Sequence, residues 1–151
     1  MRAQLADAVA KGAKVVTGGH IIESQGGYWC EPTVLVDVTQ DMAIMQDETF
    51  GPIIPIARFS DTEEAVRLAN DTGFGLSATV IGAEDEAIAV GERMNAGGVW
   101  INGFDQMGGV GDRAEKTAFG ISGLGGSRYG AGGFQRFLRK KALVVRKLAA
   151  E

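Results

Sequence analysis

From Ile53 to Ile101, short apolar runs alternate with longer amphipathic runs, and no other feature of the sequence constrains the fold as strongly. The apolar runs cover 53–59, 76–81 and 99–101, which are lengths typical of strands. The runs between them repeat apolar residues at helical spacing: Ala65, Val66, Leu68 and Ala69 in one, and Ala87, Ile88, Val90, Gly91 and Met94 in the other. Strands that alternate with helices indicate βαβ units. The sequence therefore predicts an α/β fold with a mostly parallel sheet and flanking helices.

Three local signals predict element boundaries in this stretch. Pro55 cannot donate a ladder hydrogen bond, so the strand that contains it is predicted at a sheet edge or a bulge. The segment 60–63 (Ser-Asp-Thr-Glu) has the spacing of a capping box, with Ser60 as the cap and Glu63 reaching back, and predicts that a helix begins there. The segment 70–73 (Asn-Asp-Thr-Gly) combines turn residues with a glycine and predicts the end of that helix.

The two ends of the chain differ from this middle part. The first 38 residues predict a helix at 5–11, a strand at 14–17, a polar loop bracketed by glycine pairs, and a strand at 32–38. Residues 102–133 contain eleven glycines and no apolar periodicity, so they are predicted to form a loop with a binding or lid role. A helix at 129–138 and a strand at 141–147 follow. We therefore expect a main body at 1–138 and a C-terminal oligomerisation strand and tail at 139–151.

Composition excludes several classes of function. The net charge is −4, and the basic residues after Arg128 are interleaved with apolar ones at structural spacing, so we expect no nucleic-acid partner. No apolar run approaches the ~20 residues of a membrane helix, and the N-terminus lacks a secretory core. A cytoplasmic location is the prediction that follows. Cys30 and His20 are single residues of their kind, and no metal site is predicted.

Several motifs occur in an order that is more specific than any one of them. They are 27–35 (Gly-Tyr-Trp-Cys-Glu-Pro-Thr-Val-Leu), 47–52 (Asp-Glu-Thr-Phe-Gly-Pro), 68–72 (Leu-Ala-Asn-Asp-Thr), 95–102 (Asn-Ala-Gly-Gly-Val-Trp-Ile-Asn) and 122–125 (Ser-Gly-Leu-Gly). Together they resemble the C-terminal part of the NAD(P)-dependent aldehyde dehydrogenases, over nearly the whole chain. The resemblance implies a partial aldehyde dehydrogenase catalytic domain.

The resemblance also implies which residues contact ligands. In the family, the glutamate and phenylalanine of the Glu-x-Phe-Gly-Pro motif hold the nicotinamide ribose and ring of NAD or NADP, and these positions are Glu48 and Phe50. Asn102, Phe104 and Met107 would line the mouth of the substrate tunnel. The segment 112–119 departs from the family's usual Pro-Phe-Gly-Gly-x-Lys pattern, so the resemblance does not define the substrate.

The residues that carry the family's chemistry are not found in this sequence. The nucleophilic cysteine of the family lies in a Gly-Gln-x-Cys context, whereas Cys30 lies between Trp29 and Glu31 and is interpreted as a small hydrophobe. No general base, oxyanion-stabilising asparagine or pyrophosphate turn can be named either. We therefore predict no catalytic residue, no activity and no bound cofactor for this chain alone.

Two alternatives follow from the same residues. The chain could be a non-catalytic module that assembles as a homo-oligomer through its C-terminal strand, or that complements a missing N-terminal half. It could also be a residual nucleotide-binding protein that uses Glu48 and Phe50. The glycine cluster at 123–126 follows a loop instead of a strand, and is not interpreted as a dinucleotide fingerprint.

Overall fold

The computed structural model describes residues 1–103, 114–124, 126 and 129–145. It has a mixed α/β architecture with helices packed on small sheets. The helices are α1 (Arg2–Ala10), α2 (Ala43–Gln46), α3 (Thr62–Asn70), α4 (Glu84–Gly91) and a 3-10 helix (Gly133–Phe137). The strands are β1 (Lys14–Thr17), β2 (Ile21–Ser24), β3 (Gly27–Cys30), β4 (Thr33–Val36), β5 (Ile53–Pro55), β6 (Phe74–Gly75), β7 (Ser77–Val80), β8 (Gly98–Ile101) and β9 (Phe119–Gly120).

The first sheet has the order β1-β4-β5, with β4 in the centre. β4 is antiparallel to β1 and parallel to β5. Its inward residues Thr33 and Leu35 are almost completely buried, at 1% and 0% exposure. β5 lies at the edge of this sheet, as predicted from Pro55. Proline has no amide hydrogen to donate, and on the outer side of an edge strand no neighbouring strand requires that donor.

The loop predicted between the glycine pairs is instead a hairpin formed by β2 and β3. Gln25 and Gly26 make its two-residue turn, with φ angles of 51° and 74°. Two successive positive φ angles are what a type I′ turn requires, and that turn matches the twist of the paired strands. The sequence prediction was wrong here because Gln-Gly is a weaker signal for this turn than Asn-Gly or Asp-Gly.

The βαβ prediction is confirmed for one unit, in which β7 and β8 are parallel and α4 connects them. The mostly parallel sheet is wrong for the described residues. They contain two parallel pairs, β4 with β5 and β7 with β8, and three antiparallel ones, β1 with β4, β2 with β3 and β6 with β9. Of the three antiparallel pairs, the β2–β3 hairpin has the short return that produces such pairing, whereas β1 and β4 are joined through that hairpin and β6 and β9 are distant in the chain.

α3 begins one residue later than its capping-box pattern predicts. Asp61 is the N-cap, and its Oδ1 accepts a 2.8 Å hydrogen bond from the Glu64 amide. Glu64 reaches back to Ser60, whose amide and hydroxyl both donate to Glu64 Oε2 at 2.8 Å. Aspartate and serine are both good caps, so the sequence predicted the type of motif and the tertiary structure decided its register.

One buried cluster forms the centre of the packed part of the chain. It contains Leu5, Ala8, Ala13, Leu35, Val38, Met42, Ile44 and Ile53. These residues come from α1, α2, β4, β5 and the adjoining loops, so the core lies between the first two helices and the first sheet. Cys30 is half-buried and packs against this cluster, which agrees with its interpretation as a small hydrophobe.

The C-terminal elements differ from their predictions. A short 3-10 helix at Gly133–Phe137 occupies the place of the helix predicted at 129–138, because three glycines in 130–133 disfavour a longer helix. Within the described residues 139–145 the chain forms no strand, whereas the sequence predicted one at 141–147. A strand needs a hydrogen-bonding partner, and the described part of this chain offers none to that segment. The domain boundary at 138 stays a prediction.

Candidate cofactor site

Glu48 and Phe50 lie in the loop that joins α2 to β5, and both side chains are exposed. Phe50 is 90% exposed and has a φ angle of 45°, in the left-handed region. A bulky residue rarely adopts such a backbone, and residues of this kind are concentrated at ligand contacts and other functional sites. The loop therefore presents a carboxylate and an aromatic ring, two residues apart, to the surroundings.

Both ends of this loop are fixed by hydrogen bonds. At its start, the side-chain amide of Gln4 donates to the Asp47 carbonyl at 3.2 Å and to the Thr49 hydroxyl at 3.3 Å. At its end, the Pro52 carbonyl accepts a 2.8 Å hydrogen bond from the Thr33 amide of β4. The loop that carries Glu48 and Phe50 is thus attached to α1 on one side and to the first sheet on the other.

A second contact from α1 fixes the helix that precedes the loop. The Asp7 carboxylate accepts a 2.7 Å hydrogen bond from the Ala43 amide at the start of α2, and forms an ion pair with Lys11 at 3.0 Å. The Ala43 amide, and then Lys11, lower the pKa of Asp7 below its usual 3.8. Asp7 therefore stays ionised at neutral pH and satisfies a backbone donor that the first turn of α2 leaves free.

A cavity of about 310 Å³ lies beside Glu48, and its mainly apolar lining includes a few polar side chains. Asn70 forms one wall, where its Oδ1 accepts from the Asn95 amide at 2.7 Å and its Nδ2 donates to the Arg93 carbonyl at 2.9 Å. Ser77 also lines this cavity, and its buried hydroxyl has no hydrogen-bond partner among the described residues. A carboxylate beside such a cavity can accept hydrogen bonds from a vicinal diol such as a ribose.

The structure does not bring all the predicted site residues together. Phe50 and Asn102 do not line the cavity beside Glu48. Asn102 follows β8, where its Oδ1 accepts a 2.9 Å hydrogen bond from the Gly82 amide and its own amide donates to the Val80 carbonyl at 2.8 Å. Asn102 thus closes the end of the β7–α4–β8 unit. Phe104 and Met107 lie outside the described residues, so the tunnel mouth stays a prediction.

A larger cavity of about 840 Å³ lies between α3 and α4 and has no predicted site residue in its wall. Its lining is mainly apolar, and Phe59 and Ile81 contribute exposed side chains to it. The bidentate ion pair of Arg93 with Glu63, at 2.7 and 2.6 Å, joins the two helices. An apolar surface of this kind suits packing against other protein segments better than binding a charged cofactor.

Sequence reasoning missed Gln4, Asp7 and Asn70. Gln4 and Asp7 are three residues apart on the apolar face of α1, where polar side chains are unexpected, and this spacing is a signal that could have pointed to them. Gln4 is only 8% exposed. Among the described residues, no three His, Cys, Asp or Glu side chains gather as a metal site would require. None of the helices in the described part could cross a membrane.

Comparison with known proteins decides the family. A model of the aldehyde dehydrogenase family matches residues 1–143. The chain belongs to the aldehyde dehydrogenase family. The resemblance inferred from the ordered motifs is confirmed, and the chain has the aldehyde dehydrogenase fold.

Three similar proteins give the extent of the match. The chain is 46% identical to succinate-semialdehyde dehydrogenase [NADP(+)] from Deinococcus radiodurans over 103 residues, which are 68% of this chain and 21% of that protein. The structure of PutA from Anabaena variabilis, described as an aldehyde dehydrogenase, matches with 48% identity and a TM-score of 0.86, over 99% of this chain and 32% of that one. An indole-3-acetaldehyde dehydrogenase structure with NAD⁺ matches with 34% identity and a TM-score of 0.79, over 90% and 27%.

This aldehyde dehydrogenase chain is much shorter than its relatives. It spans 27% and 18% of the first two curated relatives, and about a third of the Anabaena protein. The activity, substrates and partners of those whole proteins are therefore not properties that the match assigns to these 151 residues.

Proposed function

We propose that this chain forms one side of the nicotinamide-binding region of an NAD(P)-dependent aldehyde dehydrogenase, which oxidises an aldehyde to a carboxylic acid. The observation that supports this most is the loop of Glu48 and Phe50, which exposes both side chains, holds Phe50 at positive φ and is anchored at both ends. The cavity beside Glu48 includes the polar side chains of Asn70, Ser77 and Asn95 in its lining.

Each residue of the loop has a distinct role in this proposal. Glu48 accepts hydrogen bonds from the hydroxyls of the nicotinamide ribose, which orients the cofactor. Phe50 packs against the cofactor and excludes water from that side. The nicotinamide, when bound, accepts the hydride that leaves the substrate. The exposed carboxylate and ring are available to such a ligand, since the hydrogen bonds that anchor the loop involve neither of these two side chains.

We also propose that these 151 residues oxidise no aldehyde by themselves. Their only cysteine, Cys30, lies at the end of β3 and packs against the core. We expect no aldehyde-dependent increase in NADH or NADPH absorbance with the purified chain. Succinate semialdehyde is the first substrate to test, since the Deinococcus relative is named for it. A full-length relative is the positive control, and turnover by the 151-residue chain would overturn this part of the proposal.

The role of Glu48 needs a test of its own. Reading the coding sequence upstream of Met1 tests whether it continues into a Gly-Gln-x-Cys block, and an enzyme that contains such a block together with these residues should show a raised KM for NAD(P) when Glu48→Gln is introduced. Glu23→Gln, at an exposed position on β2, is the matched control and should leave KM unchanged. Calorimetry of the 151-residue chain with NAD is expected to show no binding. Binding that Glu48→Ala abolishes would favour the residual nucleotide-binding alternative.

A second candidate function is assembly, and one observation favours it. Leu143, Val144 and Val145 are 78%, 90% and 78% exposed, in a segment that forms no strand within the described residues. We propose that a second copy of the chain covers this segment in a homo-oligomer, in the cytoplasm. Light scattering should report more than one copy, and Val144→Lys should reduce the mass whereas Lys140→Gln should not. A strictly monomeric parent chain would count against assembly.

A further inference from the structure

α1 is the only element that contacts both α2 and the loop of Glu48 and Phe50 through polar side chains of the described residues. The Asp7 carboxylate accepts a hydrogen bond from the Ala43 amide at the start of α2, and the Gln4 side chain donates to Asp47 and Thr49 after it. The two side chains are three residues apart, so they lie on the same face of the helix. One face of α1 therefore fixes both ends of the segment 43–49.

The two acceptors of Gln4 flank Glu48 directly. The Asp47 carbonyl precedes Glu48 and the Thr49 hydroxyl follows it, at 3.2 and 3.3 Å from the same Nε2 atom. Gln4 is 8% exposed, so its amide would be left without hydrogen bonds in the interior if the loop moved away. The cost of burying unpaired donors makes this arrangement sensitive to the position of the loop.

The backbone of Phe50 gives independent support. A phenylalanine at a φ of 45° is unfavourable, and such a residue keeps its conformation only where neighbouring contacts determine it. The neighbouring contacts are the Gln4 bonds before Phe50 and the bond of the Pro52 carbonyl to the Thr33 amide after it. Removing either anchor should allow Phe50 to adopt a more common backbone conformation.

We propose that Gln4 is a positioning residue of the cofactor site, which acts through Asp47 and Thr49 to hold Glu48 and Phe50 in place before any ligand binds. The role of Gln4 in cofactor binding rests on the function proposed above. The clamp, meaning the hydrogen bonds of Gln4 to Asp47 and Thr49, does not depend on that function. A loop that is already ordered loses less conformational entropy when its ligand binds. Gln4 would thus contribute to affinity without touching the ligand.

The test is hydrogen exchange, in the 151-residue chain, of the two hydrogen-bonded amides that bound the loop: Asp47, which donates to the Ala43 carbonyl at 2.8 Å, and Ile53, which donates to the Gly51 carbonyl at 2.9 Å. Gln4→Met keeps the length of the side chain and removes its donor, and Thr49→Val removes one acceptor with little change of shape. Each is expected to increase exchange of these amides, by about fivefold for Gln4→Met, because a net hydrogen bond is worth roughly that factor. The double variant should exchange no faster than Gln4→Met alone, since the Thr49 bond is already lost. Thr49→Ser keeps the hydroxyl and should restore protection.

Gln40→Met is the matched control. Its Nε2 likewise donates to two oxygen atoms, here the backbone carbonyls of Leu68 at 2.7 Å and Asp71 at 3.3 Å, at the end of α3. This variant should leave exchange of the Asp47 and Ile53 amides unchanged. Amides of β4 report the global stability of each variant, so a purely structural loss would accelerate β4 and the loop together, whereas the clamp predicts acceleration in the loop alone.

Three outcomes would overturn the clamp: unchanged loop exchange in Gln4→Met, additive effects in the double variant, or equal acceleration in β4. The measurement contains no nucleotide, so these outcomes are separate from the test of Glu48 described above. If Glu48→Gln leaves KM unchanged while the coupling of Gln4 with Thr49 is observed, the proposed function fails and the clamp stands.

Discussion

The region of α1 to β5 and the β7–α4–β8 unit are both regular in topology, but only the first has a packed core. The first contains all eight residues of the buried cluster. In the second, Ala87 is buried, whereas Ile81 is 73% exposed, the adjacent Leu76 is 54% exposed and Ile88 is 42% exposed. Parallel strands are usually covered on both faces. A correct βαβ connection therefore does not by itself supply the burial that stabilises it.

The difference is also visible in how each region is held together. In the first, Asp7 and Gln4 make polar contacts that fix a loop against a close-packed interior. Beside the second, an exposed ion pair joins Glu63 of α3 to Arg93 in the turn after α4, next to an apolar cavity of about 840 Å³. Exposed ion pairs contribute little to stability, so the second region is expected to depend on packing that its own residues do not provide.

The largest effect is expected from Leu35→Ala in the first region. Leu35 is fully buried at the centre of β4, and removing its side chain leaves a cavity in the core. Substitutions of this kind reduce the free energy of unfolding by about 2–5 kcal/mol. Urea denaturation followed by circular dichroism measures this loss. A cost below about 1 kcal/mol would mean that the core can collapse around the gap, and would weaken the contrast between the regions.

An opposite effect of about 1 kcal/mol is expected from Ala83→Ser. Ala83 is the N-cap of α4 and offers no side-chain acceptor, although its φ and ψ of −57° and 137° suit a capping residue. A serine hydroxyl could accept from a free amide of the first turn and stabilise the second region. Asp61→Ala is the matched control, since it removes the existing cap of α3 and should destabilise by a similar amount. If neither changes the denaturation midpoint, capping does not limit the stability of these helices.

The pH dependence of stability should be stronger for Asp7 than for Glu63. The Ala43 amide, and then Lys11, lower the pKa of Asp7, and Arg93 lowers that of Glu63, from usual values of 3.8 and 4.5. A lowered folded-state pKa stabilises the protein above the unfolded-state value, and this stabilisation is lost as pH falls through the folded-state value.

Asp7→Asn should therefore flatten the loss of stability in acid more than Glu63→Gln, because Asp7 also holds a backbone amide whereas the Glu63 side chain is 78% exposed. Urea midpoints measured from neutral pH to below 3.8 compare the two variants. Equal flattening by both would remove this part of the contrast.

The smallest effect is expected from Ile81→Ser, within about 0.5 kcal/mol, because the side chain is already 73% exposed. The measurement is the same urea denaturation as for Leu35→Ala, at a concentration where the chain is monomeric. A cost as large as that of Leu35→Ala would show that the second region is covered in solution.

The sequence predicted the elements that depend on local signals. The apolar runs and the capping pattern placed β7, β8, α3 and α4 close to their observed positions, and Pro55 placed β5 at an edge. The hairpin was missed because Gln25 at positive φ has no strong sequence signature. The direction of strand pairs was predicted from connectivity alone, whereas the antiparallel pairs of β1 with β4 and of β6 with β9 join strands that do not follow one another in the chain.

For the candidate site, the sequence predicted Glu48 and Phe50 through their motif but could not predict how they are held. Gln4 contributes through two hydrogen bonds to residues 43 and 45 positions away along the chain. Such contacts have no local pattern, since they depend on where α1 packs. Asn70 was predicted as part of a helix end and of a family motif, but not as the residue whose amide joins α3 to the turn after α4.

The sequence by itself determined the family and the order of most elements, and it predicted which residues would face a cofactor, because ordered motifs and local periodicity are properties of the chain alone. Only the tertiary structure decided which surface is packed and which is exposed, that β2 and β3 form a hairpin, and that α1 anchors the loop of Glu48 and Phe50. Burial and long-range hydrogen bonds arise when distant segments meet, and a linear pattern does not specify that meeting.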